Sequence, residues 1–286
     1  MTDGVPFAKA QGLGNDFILV DEHHRPSDLG TWTRRLCDRH VGIGGDGVLL
    51  YAARPSNAAV GMRLVNADGS DGEISGNGVR CLASFMVWKG WMPARHVVET
   101  VPGPRAVDVE ALGGARFRVV TDLGPPILES GAIPVTLAPP AASVVNHVLQ
   151  AGGESVTVTA TSLGNPHCAV FLEEVASDAL VARLGPALES HPFFPRKTNV
   201  EFVTVSGPGE LRARFWERGV GATRASGTGA ASAAVAAMLK GLAGRRVRVV
   251  CDGGALDVEW PEGGRVRQTG EAEVLFEGEW QGPASG

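Results

Sequence analysis

Two stretches of the 286-residue chain repeat with nearly the same spacing, and this internal duplication constrains the fold more than any other feature. The segment SGNGVRCLASFMVWKG begins at Ser75, and SGTGAASAAVAAMLKG begins 151 residues later, at Ser226. A second pair of segments, GLGNDF from Gly12 and SLGNPH from Ser162, is offset by 150 residues. Two separate motifs at nearly one offset predict a duplicated architecture with two similar halves. A chain of this length is also longer than one hydrophobic core usually supports, which favours two domains.

The division between the halves is predicted from composition. The segment LGPPILESGAIPVTLAPPAASVVN is rich in proline and poor in charge, so we expect it to form the crossover. The final segment EVLFEGEW follows the completed second half and is expected to return to the first as an extra strand. The predicted domains are therefore residues 1–122 with 273–286, and residues 123–272.

Short apolar runs bounded by Gly, Pro, Asn or Asp recur along the chain and are typical of strands. Helical patterns are fewer, and both repeated segments are among them. The second of these, from Thr228 to Leu239, is rich in Ala and apolar on most sides, which indicates a helix inside a core. The pattern predicts an α/β (α+β) protein in which strands surround each repeated helix.

Charge and composition narrow the classes of partner. A net charge of −5, from 26 basic and 31 acidic residues, gives no electrostatic footprint for nucleic acid or for an anionic membrane. The N-terminal segment MTDGVPFAKA has neither the basic nor the apolar region of a signal peptide, and no window approaches 18 consecutive apolar residues. We therefore expect a cytoplasmic protein that acts on a small molecule.

Neither a metal nor a cofactor is expected from the motifs. The four cysteines are scattered and predicted to be buried free thiols: Cys37, Cys81, Cys168 and Cys251. Only His23 and His24 lie close together among the histidines, which does not make a zinc site. The segment GIGGDG from Gly42 matches the dinucleotide fingerprint GxGxxG, but a helical pattern precedes it and a strand pattern follows, which is the reverse of the required order.

The segments SGNG and SGTG place small residues where an apolar helix begins. Free backbone N–H groups and the positive end of the helix dipole meet there, so such an end binds a carboxylate well. Two such ends facing a common cleft would hold one carboxylate from both sides, with Ser75 and Ser226 flanking the adjacent carbon. The alternative is that both serines are ordinary N-caps. That alternative is the stronger one for a single motif, and the duplication favours the ligand site.

Further polar residues form a candidate clamp for the rest of a ligand: Asn15, Asn66, Asn165, Asn199, Glu217 and Arg218. A fixed guanidinium suits a second carboxylate, and a carboxylate with several amides suits an ammonium group. The implied ligand is therefore zwitterionic at each end. The alternatives are that the asparagines are turn residues bonded to their own backbone, and that Glu217 and Arg218 form a solvated pair.

Motifs in one fixed order connect these residues with a known family: GLGNDF, RHVGIGGDG, NADGS, GNGVRC, LGNPH, TNVEF, ERGVG and GTGA. Over nearly its whole length the chain resembles the diaminopimelate epimerases. The resemblance implies two pseudo-symmetric domains, each a mainly antiparallel, barrel-like sheet around a central helix, with the active site in the cleft between them. It also implies a homodimer. Members of the family convert L,L-2,6-diaminopimelate to the meso form without pyridoxal phosphate or metal, one cysteine thiolate removing the α-proton while a second thiol donates one.

The resemblance assigns roles to the candidate residues. It implies that the clamp residues bind the distal amino-acid end and that His167 supports the site. The carboxylate cradle would consist of Gly76, Asn77, Gly227 and Thr228. The two catalytic cysteines of the family fall at Ser75 and Ser226, which thus become the candidate catalytic residues. Ala222 occupies the position of the usual Glu in the GET motif, and Gly47 stands where many members have Gln.

The serines change the expected chemistry. A thiol with a pKa of about 8.5 is brought toward neutrality by a helix N-terminus, whereas an alkyl hydroxyl is not. A positioned acid or base contributes roughly 10²- to 10⁴-fold, so two weakened groups predict inefficient thiol-type epimerisation. A serine needs a neighbouring base, and the sequence suggests only His167.

Three explanations stay open at the level of the sequence. The serines act with helpers in a divergent epimerase, or they are an engineered replacement of cysteine, or the scaffold serves another purpose. Ile74 and Ala222 also differ from the common pattern, which disfavours an engineered replacement. The expected function is a cofactor-independent amino-acid epimerase. The alternatives are an isomerase or dehydratase for another amino-acid-like substrate, and a non-catalytic amino-acid-binding paralogue.

Overall fold

The computed structural model describes residues 4–54, 58–72 and 74–282. In chain order its strands and helices are β1 Val5–Gly12, β2 Asn15–Asp21, α1 Leu29–Cys37, β3 Gly47–Arg54, β4 Ala59–Asn66, β5 Asp71–Gly72, α2 Gly76–Trp88, β6 Arg95–Thr100, β7 Gly103–Gly113, β8 Arg116–Gly124, β9 Val144–Ala151, β10 Glu154–Ser162, β11 Pro166–Leu172, α3 Asp178–Glu189, β12 Asn199–Gly207, β13 Glu210–Glu217, β14 Gly221–Thr223, α4 Gly227–Leu239, β15 Arg246–Cys251, β16 Gly254–Glu259 and β17 Val266–Trp280. The chain divides into two compact units. The first runs to Asp122 and resumes at Thr269, and the second is Leu123–Gln268. The domain division at 122/123 and 272/273 that the sequence suggests stays a prediction.

The first unit contains a closed barrel of eight strands. Antiparallel pairs join β17 to β1, β1 to β2, β3 to β4, β6 to β7 and β7 to β8, and the pairing of β8 with β17 closes the ring. Two parallel pairs, β2 with β3 and β4 with β6, require crossovers, and α1 and α2 lie in them. The predicted α+β fold with mainly antiparallel sheets is confirmed.

Helix α2 lies in the core of this unit. Every residue from Gly76 to Met86 is buried. Its apolar side chains, among them Leu82 and Phe85, pack with inward-facing strand residues such as Leu19 and Leu49. Fully burying an apolar side chain of this size contributes about 1.5–3 kcal/mol, so this contact fixes the helix inside the barrel.

The second unit repeats the order of strand pairings. Antiparallel pairs join β9 to β10, β10 to β11, β12 to β13 and β15 to β16. Parallel pairs join β11 to β12 and β13 to β15, with α3 and α4 in the two crossovers. The residues Gly227 to Met238 of α4 are all buried. The duplication seen in the sequence is therefore present in the chain path of both units.

The segments between elements agree with the sequence patterns. The proline-rich crossover contributes Ile133 and Val135 to the core of the second unit. The segment that matches GxGxxG connects α1 to β3, so a helix precedes it and a strand follows. All four cysteines are buried, as predicted, and none forms a disulfide within the described residues; burial raises the pKa of Cys81 to about 12. In the part of the chain that the structure describes, no helix has the length and apolar character needed to cross a membrane.

Candidate active site

The N-terminus of α2 forms the first candidate half-site. Ser75 adopts an extended conformation as the N-cap, and its Oγ accepts a hydrogen bond of 3.0 Å from the backbone N–H of Gly78. Gly76 and Asn77 follow in the first turn and are buried. Extended backbone at the N-cap and a hydroxyl on the third N–H are the usual way to begin a helix, so Ser75 fixes where α2 starts.

Asn77 is held by hydrogen bonds on both sides of its amide. Its Nδ2 donates to Oδ1 of Asn15 at 3.1 Å, and its Oδ1 accepts from the guanidinium of the fully buried Arg80. Asn15 in turn donates to Oδ2 of Asp46 at 2.6 Å. The structure thus brings two predicted site residues, Asn15 and Asn77, into direct contact at the beginning of α2.

Asn66 occupies a turn at the end of β4. Its backbone N–H donates to the carbonyl of Ser70 at 2.9 Å, and its side-chain Nδ2 donates to Oγ of Ser70 at 3.0 Å. Asn66 is thus a turn residue, as the alternative for asparagine supposed, but its side chain bonds to a neighbouring hydroxyl and not to its own backbone. The predicted contact of Asn66 with a ligand stays a prediction.

The N-terminus of α4 forms the second candidate half-site, and its serine has a carboxyl partner. Ser226 is the N-cap, and its Oγ accepts from the backbone N–H of Gly229 at 3.2 Å. The same hydroxyl donates to Oε2 of Glu217 at 3.2 Å, and the hydroxyl of Thr223 donates to Oε1 at 2.7 Å. Burial raises the pKa of Glu217, although both hydroxyl contacts and the charge of His167 oppose that change. Ser226 and Glu217 have the arrangement of a hydroxyl with an adjacent base.

Sequence reasoning missed this pair. It assigned Glu217 to the distal clamp and suggested only His167 as a base for the serines. The contact arises because β13 and β14 form a tight antiparallel turn in which Glu217 faces Gly221, which brings the segment before α4 back to the end of β13. The repeat offset of 151 also aligns Glu217 with Asn66, so the sequence did show that the two halves differ at this position.

His167 lies in a chain of hydrogen bonds that ends at α4. Its Nδ1 is 2.6 Å from Oε1 of Glu201, and its Nε2 is 3.0 Å from Oδ1 of Asn165. Nδ2 of Asn165 donates to Oγ1 of Thr228, in the first turn of α4, at 3.4 Å. His167 therefore supports Asn165, and no hydrogen bond joins it to Ser226 among the described residues.

Asn199 and Arg218 contact each other through the backbone. Oδ1 of Asn199 accepts from the backbone N–H of Arg218 at 2.9 Å, and Nδ2 of Asn199 donates to the carbonyl of Pro166 at 3.0 Å. The guanidinium of Arg218 donates to the carbonyl of Arg196 at 3.0 Å, whereas Glu217 bonds to hydroxyls. Glu217 and Arg218 thus have separate partners, and Asn199 fixes the backbone from which the Arg218 side chain extends.

Comparisons with known proteins agree with the fold and the motifs. The family model described as Diaminopimelate epimerase matches residues 7–129 and 159–275. The chain is 44% identical over 279 residues to a diaminopimelate epimerase of Pelotomaculum thermopropionicum, covering 96% of this chain and 98% of that protein. It is 47% identical, with the same coverage of each chain, to one of Desulforudis audaxviator. A solved hydroxyproline epimerase of Agrobacterium vitis, with trans-4-hydroxy-L-proline bound, superimposes with a TM-score of 0.70 at 13% identity, over 97% of this chain and 91% of that one.

Proposed function

Because the chain belongs to the diaminopimelate epimerase family, we propose that it is an amino-acid epimerase that converts L,L-2,6-diaminopimelate to the meso form. The observation that carries the proposal is the contact of Ser226 with the partly buried carboxyl group of Glu217 at the beginning of α4. It gives one serine the adjacent base without which a hydroxyl is inert toward a C–H bond. The reaction then needs only groups that the chain itself provides.

The helix ends are assigned to the reacting carboxylate. Gly76 and Asn77 begin α2, and Gly227 and Thr228 begin α4, so each pair presents backbone N–H groups that have no partner within the helix. When the α-proton leaves, negative charge moves onto the carboxylate oxygens. Donors that already point at those oxygens stabilise this charge without reorganisation, which is usually the largest single contribution to such a reaction.

Proton removal is assigned to Ser226 and Glu217 acting together. The Ser226 oxygen accepts the α-proton while its own proton passes to Glu217, so the hydroxyl is regenerated and the carboxylate becomes a carboxylic acid. Burial raises the pKa of Glu217, which makes its ionised form a stronger base than an exposed carboxylate. Ser75 is assigned the complementary step, in which its hydroxyl proton passes to the same carbon and is replaced by a proton from water, while Glu217 returns its proton to solvent.

The rest of the substrate is assigned to the polar clamp. We assign direct contacts with the distal ammonium and carboxylate to Asn15, Asn165 and Arg218. The backbone at Arg218 is held by its hydrogen bond to the side chain of Asn199, which fixes the point from which the guanidinium extends. Asn66 and Asn199 have amides engaged in local hydrogen bonds, so their part is to shape the clamp. His167 supports Asn165 through the contact of its Nε2 with the side-chain oxygen of that residue.

A second candidate function is an isomerase that removes a proton from one carbon and returns it to another. The asymmetry between the serines favours it, because the Ser75 hydroxyl has no carboxyl partner among the described residues. A non-catalytic amino-acid-binding paralogue is the third candidate. It retains the helix ends and the clamp and lacks turnover.

We also propose that the protein is a cytoplasmic homodimer whose ligand is a small amino acid and not a nucleic acid. Strand β17 exposes Leu275 and Phe276 in the first unit, and Trp88 and Trp91 are also partly exposed there. Large apolar side chains on the surface of one unit are typical of a protein interface when they are contiguous. Phe276→Glu is expected to shift the sedimentation coefficient from dimer to monomer. A wild-type monomer would contradict the proposed dimer.

Deuterium exchange tests the proposed reaction. The protein is mixed with L,L-diaminopimelate in heavy water, and we expect deuterium at the α-carbon together with formation of the meso product. Ser226→Ala and Ser75→Ala serve as matched controls, and each is expected to abolish the exchange. A tight complex without exchange would support the binding paralogue. Deuterium uptake by an unsaturated or hydroxylated amino acid in place of diaminopimelate would support the other isomerase.

A further inference from the structure

Glu201 is a buried carboxyl group that the proposed reaction does not use. It lies on β12, and only 1% of the residue is exposed. Oε1 is 2.6 Å from Nδ1 of His167, and Oε2 has no hydrogen-bond partner in the part of the chain that the structure describes. Placing a carboxyl group in a core is costly unless hydrogen-bond partners compensate, and those of Glu201 are His167 and the backbone of Cys168.

The hydrogen bonds around His167 define how many protons the pair holds. Nε2 of His167 faces Oδ1 of Asn165 at 3.0 Å, and a carbonyl oxygen can only accept, so Nε2 carries a proton. The contact of Nδ1 with Oε1 of Glu201 needs one more proton between its two atoms. The pair therefore holds two protons and has no net charge, whether the second proton is written on the imidazole or on the carboxyl group.

Loss of one proton would disturb Asn165. The remaining proton would stay between His167 and Glu201, and Nε2 would become an acceptor opposite another acceptor. Asn165 would then have to rotate its amide by half a turn, which replaces the donor now facing Thr228 with a carbonyl. The orientation of the Asn165 amide at the beginning of α4 thus depends on how many protons His167 and Glu201 hold together.

We propose that Glu201 is a positioning residue, which by holding a proton together with His167 keeps the amide nitrogen of Asn165 directed at Thr228. The inference rests on the proposed function, in which Asn165 and Thr228 contact the substrate. It extends that function to a residue that touches neither substrate nor reacting atoms.

The surroundings of the pair favour the protonated form. Burial raises the pKa of Glu201, although the charge and hydrogen bond of His167 and a backbone hydrogen bond from Cys168 oppose it. The other ionisable groups that act on the pair are Glu217 from β13 and Cys168 from β11. Burial raises the pKa of both, and α4 contains no charged residue. A negative charge on the pair would therefore be poorly solvated and close to Glu217.

The first test is the protonation state of His167, read by ¹⁵N nuclear magnetic resonance of the full chain labelled at histidine. We expect a directly protonated Nε2 at neutral pH. Glu201→Gln keeps the shape and can donate an N–H to Nδ1, so Nε2 is expected to stay protonated in this variant. Glu189→Gln, a buried carboxyl of the same unit that bonds to Trp216, is the control and should leave the His167 signals unchanged.

The second test is the rate of deuterium exchange. We expect Glu201→Gln to keep a rate close to that of the wild type, because its amide can still hold Nδ1 of His167, and Glu201→Leu to lose about 10²-fold in rate, the usual cost of misplacing a substrate-contacting group. An unprotonated Nε2 in the wild type at neutral pH would overturn the inference, as would a Glu201→Leu variant that exchanges as fast as the wild type. Because the resonance measurement needs no turnover, it separates failure of this inference from failure of the proposed function.

Discussion

At the scale of single residues, Glu217 is the group on which the proposed chemistry depends most. Replacing it with Gln retains the shape and the contact with Thr223 but removes the base next to Ser226. We expect Glu217→Gln to lower the rate of α-deuterium exchange by roughly 10²- to 10⁴-fold, the usual contribution of a positioned base. Because burial raises the pKa of Glu217, the wild-type rate should fall with acid at a higher pH than an exposed carboxylate would give.

The pH profile of the variant provides the check on this prediction. Glu217→Gln should lack the acid limb altogether, since the amide has no proton to gain in that range. Thr223→Val removes a hydroxyl from the other carboxylate oxygen and serves as the matched control, with a smaller loss of rate and a retained acid limb. An acid limb that persists in Glu217→Gln would assign the base to another residue.

A second residue-scale prediction concerns the ion pairs of Asp16. Burial alone would raise the pKa of Asp16, but hydrogen bonds and charges of Arg39 and Lys9 lower it to about 2 from 3.8. A lowered folded-state pKa stabilises the fold above pH 3.8, and this stabilisation is lost as the pH falls toward 2. The size of the shift corresponds to about 2 kcal/mol at neutral pH.

Asp16→Asn tests the sign of this linkage, because an amide resembles the protonated carboxyl group. We expect the variant to lose about 2 kcal/mol of unfolding free energy at pH 7 and about half of that near pH 3, where the wild type is itself partly protonated in the unfolded state. Urea unfolding at both pH values measures the difference. A deficit that does not change with pH would mean that packing, and not the charge of Asp16, is responsible.

At the scale of secondary-structure elements, α4 lies fully inside its unit. Ala233, Ala234 and Ala237 are completely buried, so a larger side chain at any of them would have to be accommodated within the core. Adding carbons to a filled core usually costs about 1–3 kcal/mol. We expect Ala234→Leu to lower the free energy of unfolding by that amount, as measured in urea. Ala179→Leu on the exposed face of α3 is the control and should leave it unchanged.

The secondary-structure elements also show which features could be predicted from the sequence and which could not. The repeated motifs predicted both buried helices and the serines that begin them, because an N-cap and an all-apolar helix are local patterns. The contact of Ser226 with Glu217 was missed, because it depends on the turn between β13 and β14. The pairing of His167 with Glu201 depends on the parallel register of β11 and β12, which are separated by α3 in the chain. Register across a helical crossover is a tertiary property that neighbouring residues do not encode.

At the scale of the whole molecule, the duplication conserves the chain path of the two units and not their chemistry. At the repeat offset, Glu217 of the second unit corresponds to Asn66 of the first, and Arg80 of the first corresponds to Ala231 of the second. The first helix end is therefore held by a buried guanidinium and by Asn15, which bonds to Asp46, and the second by carboxyl groups and His167.

This asymmetry leads to a prediction about restoring thiols. Ser226 already has a base, whereas the Ser75 hydroxyl is bonded only to the backbone N–H of Gly78 among the described residues. A thiol at a helix N-terminus ionises far more readily than a hydroxyl, so the unassisted position gains most from sulfur. We expect Ser75→Cys to raise the rate of deuterium exchange into L,L-diaminopimelate more than Ser226→Cys does. The double variant should gain roughly 10²-fold or more over the wild type.

Equal gains from the two single variants would contradict the proposed asymmetry, because they would mean that Glu217 gives Ser226 no advantage. No gain from the double variant, in protein that still binds the amino acid, would show that the helix ends are unsuited to epimerisation whatever acid or base they carry. Binding is measured by titration calorimetry on the same samples, so loss of affinity is separated from loss of proton transfer. The expected order of rates, wild type below Ser226→Cys, below Ser75→Cys, below the double variant, follows from one contact at α4 that has no counterpart at α2 in the part of the chain that the structure describes.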